Sequence, residues 1–218
     1  MNTTKSILSS ALLLLLLVTA SAQTVDEALR EQEAKYQAIR TRALPTEPAS
    51  KVCEIIEGSK SPNGLYAFGY KDDETTCLVD LKADKVIAWS AVWHLGPNQS
   101  YNNNTHEAAW SKDSTQVVQM QQGNWETQNA EAFRITDGKA TWLGDVRKSL
   151  IAAAAAKEKE NPKFAGVLTV EKPTFGKNGT LTGSGFTQVP RGDEDGTKFT
   201  FSGTFKAGSF EVKSLSAK

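Results

Sequence analysis

The chain has 218 residues with 25 basic and 25 acidic side chains, a formal net charge of zero, and only two histidines and two cysteines. So even a balance supplies no long-range field to draw in nucleic acid or an anionic membrane surface. No basic stripe interleaved with aromatics appears either, and nucleic acid is set aside as a partner.

Residues 1–22 read as an export signal. Lys5 is the only charge before an apolar run from Ile7 to Val18 that contains six consecutive leucines, and Ala20-Ser21-Ala22 supplies a small-x-small cleavage site. The run is too short for the roughly 20 residues a membrane-spanning helix needs. No cysteine stands at the cleavage site to take a lipid anchor. Cleavage after Ala22 predicts a secreted or periplasmic chain with no membrane span, one basic residue short of charge balance.

Residues 23–50 predict a helix and a linker. "TVDEALREQEAKYQAIRTR" lacks Gly and Pro, and its acidic start and basic end suit the helix dipole. Thr24 and Glu27 are spaced as a capping box, and the two prolines of "ALPTEPAS" mark the linker.

From 51 to 146 the signals are strands: "KVCEIIEG", "LYAFGYK", "TCLVDL" and "KVIAWSAVW", then "HEAAWS", "TQVVQMQ", "NAEAFRI" and "KATWLGDV", separated by turn residues. "TDGK" between two such runs is a hairpin cue. Cys53 and Cys77 are the only cysteines and lie in this region, which in an oxidising compartment predicts a structural disulfide. Alternation along the strands lets both point into one core.

Residues 147–162 belong to an alanine-rich helix, "VRKSLIAAAAAKEKE", stopped by Asn161-Pro162. Residues 163–218 return to β structure. In "KFTFSGTFK", Phe199, Phe201 and Phe205 alternate with Thr200, Ser202 and Thr204, and with three further runs this predicts a four-stranded antiparallel meander. The fold class expected is mainly β, with antiparallel sheets, an N-terminal helix and an Ala-rich connecting helix.

A repeat lies inside 51–146. Aligning Ser61 with Ser111 sets Pro62-Asn63-Gly64 over Lys112-Asp113-Ser114, each before a strand, and Lys85 and Lys139 open corresponding later strands. These two units resemble the blade repeat of TolB-type β-propellers, in which S-P-D-G opens a strand. The resemblance covers about ninety residues and implies two blade-like sheets, with the C-terminal meander against them, and a binding surface rather than a reaction.

Candidate chemistry is sparse. His94, Tyr101, His106 and Glu107 cluster in or beside the Asn-rich "GPNQSYNNNTHE", a long connection of the kind that carries sites. Two histidines and a carboxylate are a known catalytic zinc set, yet the spacing is not H-E-x-x-H, and histidines in such a loop also simply hydrogen-bond to their neighbours. No G-x-S-x-G elbow occurs, and "GTLTGSGF" precedes no helix, so neither nucleophilic catalysis nor phosphate cradling is read here. Arg191-Gly192-Asp193 and the acidic residues after it read as a charged turn. Trp89 and Trp93 share one face of their strand, as do Tyr66, Phe68 and Tyr70, which makes either a core or an exposed platform for sugars or a partner. The sequence therefore predicts no catalytic residue, no cofactor and no metal. It predicts an exported module that binds a protein, glycan or envelope partner through His94, Tyr101, His106, Glu107, Trp89 and Trp93. The alternatives are a metal-assisted hydrolase using His94, His106 and Glu107, or a secreted enzyme inhibitor.

Overall fold

The computed structural model describes residues 27, 30–71, 75–93, 105–123, 126–158, 167–188 and 197–217. The expectations placed on residues 1–22, His94, Tyr101 and the 191–193 tripeptide lie outside them. The chain forms two compact units, Met1–Thr41 and Arg42–Lys218. In the first, residues 30–40 form helix α1, where Arg40 pairs with Glu33 at 3.3 Å and its guanidinium lies 5.7 Å from the centre of the Tyr36 ring.

The second unit is built of three four-stranded antiparallel meanders. The first sheet comprises β1 (Glu54–Ile55), β2 (Tyr66–Tyr70), β3 (Thr75–Asp80) and β4 (Lys85–Trp93). The second comprises β5 (Thr105–Trp110), β6 (Gln116–Gln122), β7 (Thr127–Thr136) and β8 (Lys139–Asp145). The third comprises β9 (Val167–Phe175), β10 (Leu181–Gln188), β11 (Thr197–Lys206) and β12 (Ser209–Ala217). Within each sheet, strands adjacent in sequence are adjacent in space. The hairpin expected at "TDGK" forms with Asp137 at φ 51 and Gly138 at φ 70, two successive left-handed residues whose twist matches the flanking strands.

One sequence expectation changes. Lys51 and Val52, read as the start of a strand, end a short helix α2 (Ala49–Val52) instead. The cause lies 34 residues away, where Asp84 receives the Ser50 N–H and hydroxyl at 2.9 and 2.8 Å and its carbonyl accepts from the Ala49 N–H at 2.8 Å. A side chain that satisfies the free donors of a helical first turn fixes that turn whatever the local strand propensity.

The repeat seen in the sequence is a repeat of hydrogen bonds. In the first sheet the Ser61 hydroxyl donates to Asn63 Oδ1 (2.8 Å) and accepts from the Tyr66 N–H (3.0 Å), while Ser61 N–H bonds the Tyr66 carbonyl at 2.8 Å. In the second, Ser111 donates to Asp113 Oδ1 (2.6 Å) and accepts from Gln116 N–H (2.9 Å), and its own N–H bonds the Gln116 carbonyl at 2.8 Å. Gly64 and Ser114 close the two turns at φ 70 and 60. A strand later, Leu81 N–H bonds the Leu65 carbonyl and Ile135 N–H the Thr115 carbonyl, both at 2.8 Å.

The second sheet lies between the other two. Val117 and Phe133 pack with Phe68 and Leu78 of the first sheet and with Ile56 beside it, whereas Val118, Met120, Ala130 and Ala132 pack with Leu168, Val170, Phe199 and Phe201 of the third sheet. Burial on both faces replaces strict alternation with runs such as the five buried residues inside β6. Phe68 and its repeat counterpart Val118 both point forward, one towards the second sheet and the other towards the third. Helix α3 (Val146–Glu158) closes the second core through Val146, Leu150 and Ala154.

Among the described residues the three sheets close no ring. Residues 42–53 cover the free face of the first sheet, where the Trp89 indole N–H bonds the Ala43 carbonyl at 3.1 Å and the Arg42 guanidinium sits 4.7 Å from the ring. In the third sheet the glycines of "GTLTGSGF" serve packing. Gly183 and Gly185 stand opposite Phe201 and Phe199, and a Cβ at either would meet that ring at 2.6 Å. Each ring occupies the space a side chain at its glycine would take, an aromatic cover for strand positions that lack one.

Candidate functional site

Two polar regions interrupt the cores. The first is a layer between the first and second sheets. Glu131, 2% exposed, accepts from the Ser90 hydroxyl and the Ala91 N–H, both at 2.9 Å. The fully buried Gln119 donates to Thr76 Oγ1 at 2.9 Å, and Thr76 in turn donates to the Val92 carbonyl. The same Gln119 amide nitrogen lies 2.7 Å from His106 Nε2. With the amide nitrogen as donor, His106 Nε2 is the acceptor of that contact. Gln121, also buried, has no hydrogen-bond partner for either amide atom among the described residues. This layer ties β3 to β6 and β4 to β7 by side chains, and a buried polar network of this kind fixes how two sheets register on each other.

The second region is a cleft of about 480 Å³ between the second and third sheets. Its walls are Thr105 and Glu107 of β5, Gln122 at the end of β6 and Gly123 after it, Thr169 to Lys172 of β9, and Phe186 of β10. Its floor is fixed by a triangle of bonds. Val170 N–H donates to Thr127 Oγ1 at 2.7 Å, Gln122 Nε2 donates to the Val170 carbonyl at 2.8 Å, and Thr127 donates to Gln122 Oε1 at 2.6 Å. Strand β9 is the edge of its sheet, and these side chains occupy the backbone groups a neighbouring strand would otherwise take. Two residues beyond Val170, Lys172 at φ 47 and Pro173 bulge out of the ladder between the Glu171–Ser184 and Thr174–Thr182 pairs. The bulge turns the chain beside Glu171 and Lys172, which are both exposed.

The cleft thus brings together two hydroxyls, two carboxylates, one ammonium group and a half-buried aromatic ring. Among the described residues that line it there is no serine, cysteine or histidine. Such a set can hydrogen-bond and pair charge with a ligand while the ring supplies apolar contact.

The residues singled out from sequence disperse. His106 and Glu107 are consecutive on β5, so their side chains leave opposite faces of the sheet. His106 enters the polar layer, with its ring 5.7 Å from that of Phe68, while Glu107 enters the cleft. Trp89 is 3% exposed beneath Arg42 and Ala43 and offers no face to a ligand. Trp93 ends β4, with its side chain outside the described residues. Of Tyr66, Phe68 and Tyr70, Phe68 is fully buried and the others half-buried, and all three belong to the core between the sheets. Among the described residues, no three His, Cys, Asp or Glu side chains gather around one point. Thr169, Glu171 and Phe186 carried no local signal, because they reach the cleft only through the stacking of two sheets.

Cys53 and Cys77 are free thiols that stand near each other beside Gly69 on the first sheet. No family model matches the chain, and no curated protein matches it significantly.

Proposed function

We propose that this chain is an exported, non-enzymatic binding module that holds a partner's polar group in the cleft between its second and third sheets. The observation that carries the reading is the cleft itself, a concavity of about 480 Å³ whose floor is fixed by the Gln122–Thr127–Val170 bonds and whose rim presents Glu107, Glu171, Lys172 and Phe186. Pre-formed walls with a few convergent polar groups suit binding. In the exported compartment the leader 1–22 is removed and Cys53 and Cys77 are joined. We read the two repeated sheets as relatives of TolB-type blades, a reading supported by the matched Ser61 and Ser111 turns and the shared forward face of Phe68 and Val118.

The metal-assisted hydrolase alternative meets an obstacle in β5, since neighbouring strand residues such as His106 and Glu107 diverge. The test is a binding screen of the mature protein against glycans and peptides, run beside turnover assays on the same compounds. A ligand whose affinity drops about tenfold in Phe186→Ala and in Glu107→Gln supports the cleft, as loss of one good contact predicts. Metal-dependent turnover lost in His106→Ala would replace the binding reading with the hydrolase.

A further inference from the structure

The sulfur pair sits in an asymmetric setting. Cys77, fully buried on β3, stands opposite Gly69 of β2 and Trp89 of β4. Cys53 is half-buried at the end of α2, with its thiol directed to the Ala49 carbonyl at 3.5 Å. Gly69 is the seat for its sulfur: a Cβ there would stand 2.8 Å from Cys53 Sγ and 3.0 Å from the Glu54 carbonyl oxygen. Three other ties already dock the segment: Trp89 to Ala43, Asp84 to Ser50, and the Ile56 N–H to the Phe68 carbonyl at 2.9 Å.

We propose that Cys53 and Cys77 form a thiol–disulfide exchange site of the folded protein, in which Cys53 meets an incoming disulfide, Cys77 resolves it, and the cross-link latches residues 42–56 over the first sheet. The bond from Cys77 holds the Cys53 thiol below the ordinary thiol range against burial and the charge of Asp84, while that bond and burial push Cys77 up. The outer sulfur is thereby the better thiolate, and the inner one keeps its proton until it is needed. Cys53 thiolate attacks one sulfur of a protein or small-molecule disulfide, forming a mixed disulfide and expelling one thiolate. That thiolate takes the Cys77 proton, Cys77 attacks the Cys53 sulfur, and a second thiolate leaves, taking from solvent the proton that Cys53 gave up on ionising. Two electrons pass from the dithiol to the incoming disulfide, which departs as two thiols.

This inference rests on the export reading only for the natural oxidant, so the reduced protein in vitro separates the two. Reduced wild type, Cys77→Ser and Cys53→Ser, each checked for folding by circular dichroism, are incubated with glutathione disulfide and followed by mass spectrometry. Wild type is expected to close the internal bond without accumulating adduct, Cys77→Ser to accumulate glutathione on Cys53, and Cys53→Ser to react about tenfold more slowly or less. Should either variant fail to fold, limiting alkylation of reduced wild type decides, with Cys53 labelled first. The proposal is overturned if Cys77 reacts as fast as Cys53, or if folded wild type stays a dithiol or stalls as the adduct. Proteolysis within 42–56 is expected to slow about tenfold or more on oxidation, because cleavage follows the open population. An unchanged rate overturns the latch.

Discussion

The Asn63 N–H donates to the Ser114 hydroxyl at 3.2 Å, so the turn that opens the first sheet's long hairpins rests against its own repeat in the second. Trp110 reinforces the contact by donating its indole N–H to the Ser59 carbonyl at 2.9 Å. The repeated sequence therefore makes the same local structure twice and also supplies the joint between the copies. Ser114→Gly keeps the left-handed conformation at φ 60 and removes the hydroxyl. It is expected to cost about 1 kcal/mol in chemical denaturation, the usual net worth of one hydrogen bond. Ser114→Ala should cost more, since it loses the bond and keeps the left-handed backbone strain that glycine relieves.

Acid unfolding should report the capped turns. Hydrogen bonds from Ser111 and Thr115 hold Asp113 below its ordinary value of 3.8, and bonds from Ser50 do the same for Asp84. A carboxylate whose folded pKa is depressed stabilises the fold above its unfolded value, and that contribution disappears as pH falls through the folded one. Urea midpoints are thus expected to decline below about pH 4, and to decline less in Asp113→Asn or Asp84→Asn. An identical acid limb in both variants would remove these two groups from the account.

Glu131 is the side chain on which the first two sheets depend most. Its replacement by Ala leaves the Ser90 hydroxyl and Ala91 N–H without their acceptor inside a buried interface. A loss of about 2–4 kcal/mol is expected from bonds to a buried carboxylate and the donors stranded with it. Glu131→Gln, which keeps one acceptor oxygen, should lose less. Thermal denaturation of the two variants gives the ranking.

The docked face of α3 makes a simpler contrast. Leu150 is fully buried against the second and third sheets, whereas Ile151 beside it is 38% exposed. Leu150→Ala is expected to cost about 2–5 kcal/mol. Ile151→Ala should stay within about 0.5 kcal/mol, and its helix propensity gain acts in the opposite direction.

The strands were legible because period-two alternation and turn chemistry are local. "KFTFSGTFK" becomes β11 with Phe199 and Phe201 buried, and the Asp137-Gly138 turn forms where it was read. The helical turn at Ala49–Val52 was not legible, because Asp84 imposes it from a distant hairpin. The inward aim of Gln119 and Glu131 was hidden for a related reason: in a sheet buried on both faces, a polar residue in a strand no longer marks the solvent side. Of the cleft, only Glu107 was reached from sequence. Its partners Thr169 and Phe186 come from the third sheet, brought there by packing that no short motif encodes.

The cleft is the central claim, and a nitrogen-labelled NMR titration with a ligand from the glycan and peptide screen tests it most directly. Shift changes are expected to converge on Thr105, Glu107, Thr169, Glu171 and Phe186, and to vanish in Phe186→Ala at the same ligand concentration. Changes that map instead to another surface, or that survive unchanged in Phe186→Ala, would contradict it.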